Sequence, residues 1–388
     1  MTTTQRRPIF NAAKRRSSQR VTPVRRMRGR PPLRYVALLA IVLLLLLTGV
    51  VLVLSASTVA SIDEQKGSLF YFSRHLQFAV IALVALLIAL RVDYRLWRKV
   101  SIPLVGVSIA GLITVLVTGR EINGSRRWIE FGFINVQPSE FAKFALVVAL
   151  ATFLDSRRKQ LAKRRRILHP VGLAMLVVCV LMMMQPDLGT TLILLAITGG
   201  MLFAAGIPGR QVAALSLVVG ALGFLAALAA PYRRARLLGF WNPIDSREDA
   251  GYQTFQSLVG LANGGVTGVG LGEGRAKWGW LPNSHTDFIF AIVAEELGLV
   301  GALVVLTLLG AVGVLGFRIS QGAPDFFGAL LATGITVWFM VQVFVNMGGV
   351  LGLLPITGVT LPFLSFGGSS LLVNAAAVGV LLNVARQS

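Results

Sequence analysis

Long apolar stretches are the feature that most constrains how this chain folds. About 20 predominantly apolar residues are enough for an α-helix to cross the hydrocarbon core of a bilayer. Ten such stretches occur, at residues 35–56, 74–91, 100–118, 138–154, 170–184, 188–206, 211–231, 286–317, 326–347 and 368–385. The sequence therefore predicts an all-α polytopic membrane protein with about ten transmembrane helices.

The composition excludes several other classes of protein. The net charge is +21, yet 55% of the 388 residues are hydrophobic. A soluble nucleic-acid-binding protein is basic but not this apolar. A secreted disulfide scaffold needs more cysteines than Cys179 alone. We therefore expect no nucleic-acid partner and no disulfide framework.

Residues 1–34 form a basic segment with 11 Lys and Arg and no acidic residue. Such a composition cannot build a hydrophobic core, so it predicts a disordered arm ahead of an integral membrane domain at 35–388. Two interpretations of the arm stay open. It is a topogenic signal that stays in the cytoplasm and contacts anionic membrane lipids, or it is a docking site for a partner protein.

The distribution of Lys and Arg between the loops orients the chain. Cytoplasmic loops of membrane proteins carry an excess of these residues. If the basic arm lies on the cytoplasmic side of the membrane, 25 Lys and Arg fall on that side (inside) and 11 on the other side (outside), so both termini are predicted to be cytoplasmic. The 11 outside cations cluster at 119–137 and in a long Gly-rich loop, 232–285, between the seventh and eighth helices. Within that loop, residues 252–262 are amphipathic and predict a short helix, and we expect a water-accessible exterior cavity beneath the loop.

Ionisable residues at membrane depth are costly and mark candidate functional groups. Glu140 and Lys143 are three residues apart near the start of the fourth stretch, so they share one helix face. They form either a self-neutralising structural pair or a site in which Glu140 holds Lys143 toward an anionic group. Asp187 precedes the sixth stretch, where it either caps a helix N-terminus or belongs to a functional site.

Asp287 lies at the mouth of the eighth stretch, directly after the long loop. If Thr286 caps that helix, Asp287 falls in its first turn. Alternatively, Asp287 is a general base facing the cavity, a role that His285 could also fill. Glu295 and Glu296 lie deeper in the same stretch, and we expect one of them to hydrogen-bond inside the bundle.

The expected cavity combines cations, a carboxylate and a membrane setting. Cations suit an anionic substrate, a carboxylate suits proton abstraction from a hydroxyl, and a membrane-embedded cavity suits a lipid-linked molecule. These features favour glycosyl transfer from a polyprenyl diphosphate, or transport of such a lipid. The sequence contains no His/Cys metal motif, but a Mg²⁺ or Mn²⁺ site stays open if a phosphorylated substrate supplies oxygens. No organic cofactor is expected.

Several short motifs follow one another along residues 35–385. They include Arg127-Trp128, Gln137-Pro138-Ser139-Glu140-Phe141-Ala142-Lys143, Gln185-Pro186-Asp187-Leu188-Gly189-Thr190, Gly268 to Gly272, His285-Thr286-Asp287-Phe288, Glu295 to Gly298, and Leu361 to Ser370. Together these motifs resemble the SEDS family, the FtsW/RodA group. Arg126-Arg127-Trp128, Trp278-Gly279-Trp280 and Ser369 to Asn374 are more similar to the division branch, FtsW, than to the elongation branch, RodA.

The resemblance implies a ten-helix peptidoglycan glycosyltransferase that polymerises lipid II outside the bacterial cytoplasmic membrane. It implies a class B penicillin-binding protein as partner and, for the division branch, septal synthesis alongside other divisome proteins. The alternatives are an elongation-type polymerase, a lipid II flippase, or a scaffold that only recruits division proteins.

The resemblance also implies roles for individual residues. Asp287 corresponds to the essential aspartate of the family, and Glu140 and Lys143 correspond to its Glu and Lys pair. With these motifs and the outside cations, the expected substrate-binding residues are Lys143, Glu140, Arg127, Trp128, Gln137, Ser139, Lys277, His285, Asp187 and Ser369.

Overall fold

The structure is a computed structural model that describes residues 32–63, 65, 67–122, 125–132, 134–228 and 251–388. Each of the ten predicted stretches overlaps a helix. The helices are α1 (Leu33–Asp63), α2 (Phe70–Arg91), α3 (Ser101–Thr118), α4 (Pro138–Ser156), α5 (Arg165–Met184), α6 (Leu188–Ala204), α7 (Gly209–Leu228), α8 (Tyr252–Gly264), α9 (Ile289–Gly322), α10 (Phe326–Val350) and α11 (Gly368–Gln387). The amphipathic stretch at 252–262 is therefore confirmed as a helix, α8. Residues 1–31 of the basic arm, residues 229–231 at the end of the seventh predicted stretch and residues 232–250 of the long loop lie outside the described residues.

Seven helices of the described chain are long and apolar enough to cross a membrane, namely α1, α2, α3, α5, α9, α10 and α11. α6 and the portion Gly209–Ala221 of α7 are apolar but shorter. α4 contains the charged pair Glu140 and Lys143. The all-α membrane class is confirmed, whereas the count of ten spans stays a prediction.

α10 and α11 lie at the centre of the bundle, since most of their length is buried inside the protein. The outer helices α1, α2, α3, α5 and α9 instead expose apolar faces along much of their length, as expected for surfaces that meet lipid. Stacked aromatic rings fill part of the centre, with Phe339 lying 5.5 Å from Trp338 and 5.7 Å from Phe363 between ring centroids. Phe363 belongs to residues 351–367, an irregular segment that joins α10 to α11 and enters the bundle, where Val359 and Thr360 bond to α10.

A small antiparallel sheet joins α3 to α4, where the sequence predicted only a loop. Its strands are β1 (Arg120–Ile122), β2 (Ser125–Phe131) and β3 (Ile134–Val136), in that order. Because successive side chains of a strand point to opposite faces, β2 directs Arg126 and Arg127 to opposite sides. Arg126 pairs with the exposed Glu121 at 3.3 Å. The sheet thereby turns Arg127 toward the bundle.

α9 is interrupted at Gly298, whose φ of 66° and ψ of −167° are not helical. The break releases the carbonyls of Glu295 and Glu296 from the helix. Backbone groups of residues 265–270 bond to the groups released around the break, at 3.0–3.2 Å. Backbone groups at membrane depth need such partners. The Gly-rich loop therefore completes a broken helix rather than forming a phosphate-binding loop.

The opposite end of the bundle closes with a polar network. Asp325 caps α10 by accepting from the Gly328 amide at 2.7 Å. Its carboxylate also accepts from the Tyr94 hydroxyl at 2.7 Å and from Arg95 Nε at 3.0 Å. Burial, together with the Asp325 charge, raises the pKa of the Tyr94 hydroxyl, which therefore stays protonated and donates.

Candidate active site

A cavity of about 570 Å³ lies at the end of the bundle that carries the sheet. Its polar lining residues include Arg74, Ser125, Arg127, Asn135, Gln137, Asn283, Thr286, Asp287, Thr360, Ser369 and Ser370. Its apolar lining residues include Met183, Leu188, Leu192 and Leu195 from α5 and α6, together with Phe78, Val345, Leu354, Ile356 and Phe366. A cavity lined by both polar and apolar side chains suits an amphiphilic molecule.

Asp287 lines this cavity and does not cap α9. The helix begins at Ile289, with Phe288 in the N-cap position and no side-chain cap. The amides of Thr286 and Phe288 donate instead to the Asn283 carbonyl, at 3.1 and 3.3 Å. The interpretation in which Thr286 caps α9 and Asp287 falls in the first turn of that helix is therefore wrong, because an extra turn precedes the helix.

Arg127 and Asp287 border the same point of the cavity. A Cβ atom placed on Gly358 would lie 3.5 Å from Arg127 Nη1 and 3.6 Å from Asp287 Oδ2. Gly358 has a φ of 73°, a conformation that glycine adopts without steric cost. A cation and a carboxylate therefore lie close to one point of the cavity, beside Gly358.

The guanidinium of Arg127 is held in place by the turn between α5 and α6. Its Nε donates to the Gln185 carbonyl at 3.3 Å, and Nη2 donates to the Pro186 carbonyl. Its Nη1 lies 3.7 Å from Asp187 Oδ1. Asp187 caps α6 through the Thr190 amide at 3.1 Å and the Thr190 hydroxyl at 2.8 Å. The capping interpretation of Asp187 is confirmed, and this buried carboxylate lies behind Arg127 rather than in the cavity lining.

The pair of Glu140 and Lys143 is confirmed and lies in the centre of the bundle. Lys143 Nζ donates to Glu140 Oε1 at 2.9 Å and to Gln342 Oε1 at 2.8 Å, and it lies 5.1 Å from the Trp338 ring centroid. Lys143 is completely buried and does not line the cavity. Ser139, also expected to bind substrate, is equally buried and outside the lining.

Lys277 is also withdrawn from the cavity. Its Nζ donates to Glu296 Oε1 at 2.8 Å, to Ser55 Oγ at 3.0 Å and to the Gly272 carbonyl at 2.6 Å. Glu295 accepts from two loop amides, at 3.1 and 3.0 Å. We expected one of Glu295 and Glu296 to form a hydrogen bond inside the bundle, and both of them do. Together these bonds connect the Gly-rich loop to α1 and α9.

Trp128, Gln137 and Ser369 all line the cavity, as expected for a substrate site. The Ser369 hydroxyl accepts from the Gln137 amide and donates to the Asn135 carbonyl, both at 3.1 Å. These bonds tie the sheet and the start of α4 to the start of α11. The polar lining is therefore assembled from segments that are far apart in sequence.

His285 lies behind the wall rather than in the cavity lining. Its ring centroid is 5.0 Å from that of Tyr71 and 5.6 Å from that of Phe366. Phe366, which does line the cavity, donates its amide to the His285 carbonyl at 2.9 Å. Of the two candidate bases, Asp287 is the one that reaches the cavity.

Arg74, Thr360 and Ser370 also line the cavity, although none of them is among the substrate-binding residues expected from the sequence. Arg74 was counted among the outside cations but lies within the first turns of an otherwise apolar helix. The hydroxyls of Thr360 and Ser370 are 2.9 Å apart. No local pattern marks Thr360, whereas Ser370 lies in the Gly-Gly-Ser-Ser motif.

The fold and the cavity define a polytopic membrane protein in which a guanidinium and a carboxylate line one cavity. Comparison with known proteins identifies the particular family. The family model of the cell cycle proteins FtsW, RodA and SpoVE matches residues 36–388. The chain belongs to this family, which confirms the SEDS resemblance.

Individual relatives cover most of the chain. Stage V sporulation protein E of Bacillus subtilis is 42% identical over 355 residues, which cover 90% of this chain and 97% of that protein. The probable peptidoglycan glycosyltransferase FtsW of Mycobacterium tuberculosis is 40% identical over 361 residues, covering 92% of this chain and 69% of that protein.

Two solved structures share the fold. One, described as the structural coordination of polymerization and crosslinking by a peptidoglycan synthase complex, has a TM-score of 0.75 at 30% identity and covers 90% of this chain and 97% of that one. The rod shape determining protein RodA of Thermus thermophilus has a TM-score of 0.66 at 28% identity and covers 90% and 96% of the two chains.

Proposed function

We propose that this chain is a peptidoglycan glycosyltransferase that polymerises lipid II, the undecaprenyl-diphosphate-linked disaccharide peptide, at the outer face of the bacterial cytoplasmic membrane. The observation that carries the proposal is the shared position of Arg127 and Asp287 at Gly358, inside a cavity lined by both polar and apolar side chains. Relatives in the same family that are named as peptidoglycan glycosyltransferases support the class of substrate.

In the proposed reaction, the Asp287 carboxylate accepts the proton of the 4-hydroxyl of the acceptor sugar. That oxygen forms a bond to the anomeric carbon of the donor, and the bond between this carbon and the diphosphate oxygen breaks. The anomeric carbon inverts, and the polyprenyl diphosphate leaves with the bonding electron pair. General-base catalysis of this kind contributes typically about 10²–10⁴-fold.

The leaving diphosphate needs positive charge where its negative charge develops. Arg127 and Arg74 are the cations that line the cavity within the described part of the chain, and we assign this role to them. The apolar lining formed by Leu188, Leu192 and Leu195 suits the start of the polyprenyl chain. Lys143 and Lys277 then act through the framework that they stabilise rather than through contact with the diphosphate.

A divalent cation is compatible with this proposal if the phosphates of the substrate supply most of its oxygen ligands. Among the residues that the structure describes, no group of three or more His, Cys, Asp or Glu could hold a metal ion. Mg²⁺ binds through few carboxylates when substrate phosphates supply the other oxygens. Mg²⁺ or Mn²⁺ would therefore bind here through Asp287 and the diphosphate together.

The test is glycan synthesis from purified lipid II in detergent, with the class B penicillin-binding protein present. We expect polymer from the wild-type chain and almost none from Asp287→Asn, which keeps the shape of the side chain but cannot accept the proton. Glu273→Gln is the matched control, because it removes one carboxylate from an exposed position in the long loop, outside the cavity lining.

Wild-type activity in Asp287→Asn would overturn the proposed role of this residue. Polymer made in detergent, where there is no bilayer to cross, separates a polymerase from a flippase. A scaffold that only recruits partners would make no polymer and would tolerate Asp287→Asn in cells.

Within this function we propose septal synthesis, with a class B penicillin-binding protein and other divisome proteins as partners. Relatives named FtsW are 37–40% identical to this chain, which supports the division branch. The 25 inside cations counted from the sequence support cytoplasmic termini. A fluorescent fusion should form a ring at mid-cell, and a dispersed lateral pattern would favour the elongation-type role instead.

A further inference from the structure

Two buried amide side chains on α10, Gln342 and Asn346, lie one turn apart on the same helix face. Asn346 Nδ2 donates to the Asp287 carbonyl at 2.8 Å and to the Val359 carbonyl at 2.7 Å. Gln342 Nε2 donates to the Thr360 carbonyl at 2.9 Å. Side chains on one face of α10 therefore donate hydrogen bonds to three backbone carbonyls, which belong to two different segments of the cavity wall.

The segment that carries Val359 and Thr360 depends on such donors. Residues 351–367 are largely irregular, so the carbonyls of Val359 and Thr360 are not part of a helical hydrogen-bond pattern. Irregular backbone at membrane depth is tolerated only where protein or a water-filled cavity covers it and satisfies its polar groups. The side-chain amides of Gln342 and Asn346 donate to these carbonyls directly beside Gly358.

The orientation of the Gln342 amide is itself fixed. Its Oε1 accepts from Lys143 Nζ at 2.8 Å and from Trp338 Nε1 at 2.7 Å, so its Nε2 points to the Thr360 carbonyl. The buried pair of Lys143 and Glu140 thereby acts on the cavity wall through Gln342, without reaching the cavity.

We infer that Asn346 is a positioning residue for the reaction, supported by Gln342. A single Asn346 amide bonds to the backbone of Asp287 and to the residue after Gly358, so it sets the distance between the proposed base and the segment opposite it. This inference rests on the proposed function, because it gives that distance a catalytic purpose. Displacement of a reacting group by about 1 Å can cost about 10²-fold in rate.

The kinetic test is Asn346→Ala in the lipid II polymerisation assay. Since substrate still binds but Asp287 is misplaced, we expect kcat to fall by about 10–100-fold while KM changes by less than about threefold. Asn383→Ala is the matched control. Asn383 is as buried as Asn346 and donates to the Leu90 carbonyl at 2.7 Å, but it lies at the opposite end of the bundle. We expect it to lower thermal stability similarly and to leave kcat unchanged.

The second measurement is hydrogen exchange of the backbone amides without substrate. In Asn346→Ala we expect faster exchange in peptides covering 283–289 and 354–366, and in Asn383→Ala we expect wild-type exchange there. If Asn346→Ala does not fold, Asn346→Ser keeps one donor in a shorter side chain and is measured in its place.

The outcomes separate the inference from the proposed function. Unchanged exchange in the Asn346 variant, or a loss of kcat no larger than in the Asn383 variant, overturns the positioning role. Faster exchange in the two named segments, combined with a wild-type chain that makes no polymer, supports the positioning contact and overturns the proposed function.

Discussion

Substitution of Gly358 tests whether the space between Arg127 and Asp287 is where the reaction occurs. At φ 73°, an alanine costs about 1–2 kcal/mol of folding free energy. Its Cβ would also lie 3.5 Å from Arg127 Nη1 and 3.6 Å from Asp287 Oδ2, so it fills the gap without clashing with the protein. A substrate oxygen can then no longer approach both groups, and we expect kcat/KM to fall by about 10²-fold, or about 2.7 kcal/mol of transition-state stabilisation.

The assay is steady-state polymerisation of lipid II by Gly358→Ala, with thermal unfolding measured in parallel. Gly352→Ala is the matched control, because Gly352 has a similar φ of 67° on the same irregular segment but lies outside the cavity lining. We expect both variants to lose a few degrees of melting temperature and only Gly358→Ala to lose activity. Equal kcat/KM in the two variants would refute the placement of the reaction at this point.

Three further substitutions separate the cations. Arg127→Lys keeps the charge but loses the planar fork that bonds to two carbonyls and fixes the cation beside Asp287. We therefore expect about 10–100-fold lower kcat/KM for lipid II, and wild-type kinetics would contradict this. Lys277→Met leaves Glu296 buried without its cation, which should lower the free energy of unfolding by about 3–5 kcal/mol. The folded fraction should keep its activity. Lost activity at an unchanged melting temperature would instead indicate that Lys277 contacts the substrate. Lys143→Met should lower both stability and kcat, because Gln342 loses its orientation; a stability loss with unchanged kcat would contradict this link.

Local patterns in the sequence were enough to predict the helices and some of their ends. The apolar stretches located the long helices, and the amphipathic segment at 252–262 located α8. The pair of Glu140 and Lys143 and the cap at Asp187 are also local, because their partners lie within four residues along the chain. Contacts of this range follow from helix geometry alone.

The environment of Asp287 could not be predicted from neighbouring residues in the sequence. A Thr-Asp pair ahead of an apolar run favours a helix cap, but the Asp287 carbonyl is taken by Asn346, 59 residues away in sequence. Lys277 shows the same limit, because one of its partners, Ser55, is 222 residues distant. A sequence pattern does not reveal which of two distant partners a buried polar group meets. For that reason the cavity lining could not be predicted in full.

The distribution of the cations has a consequence for turnover. Of the expected substrate-binding cations, Lys143 and Lys277 are neutralised by Glu140 and Glu296 away from the cavity. More cations in the cavity would strengthen the binding of substrate, transition state and diphosphate product alike. Uniform binding of this kind does not raise kcat, and tight product binding slows its release. A polymerase that must release a polyprenyl diphosphate in every cycle is therefore better served by the two guanidiniums, Arg74 and Arg127, that line the described part of the cavity than by a cavity that also holds Lys143 and Lys277.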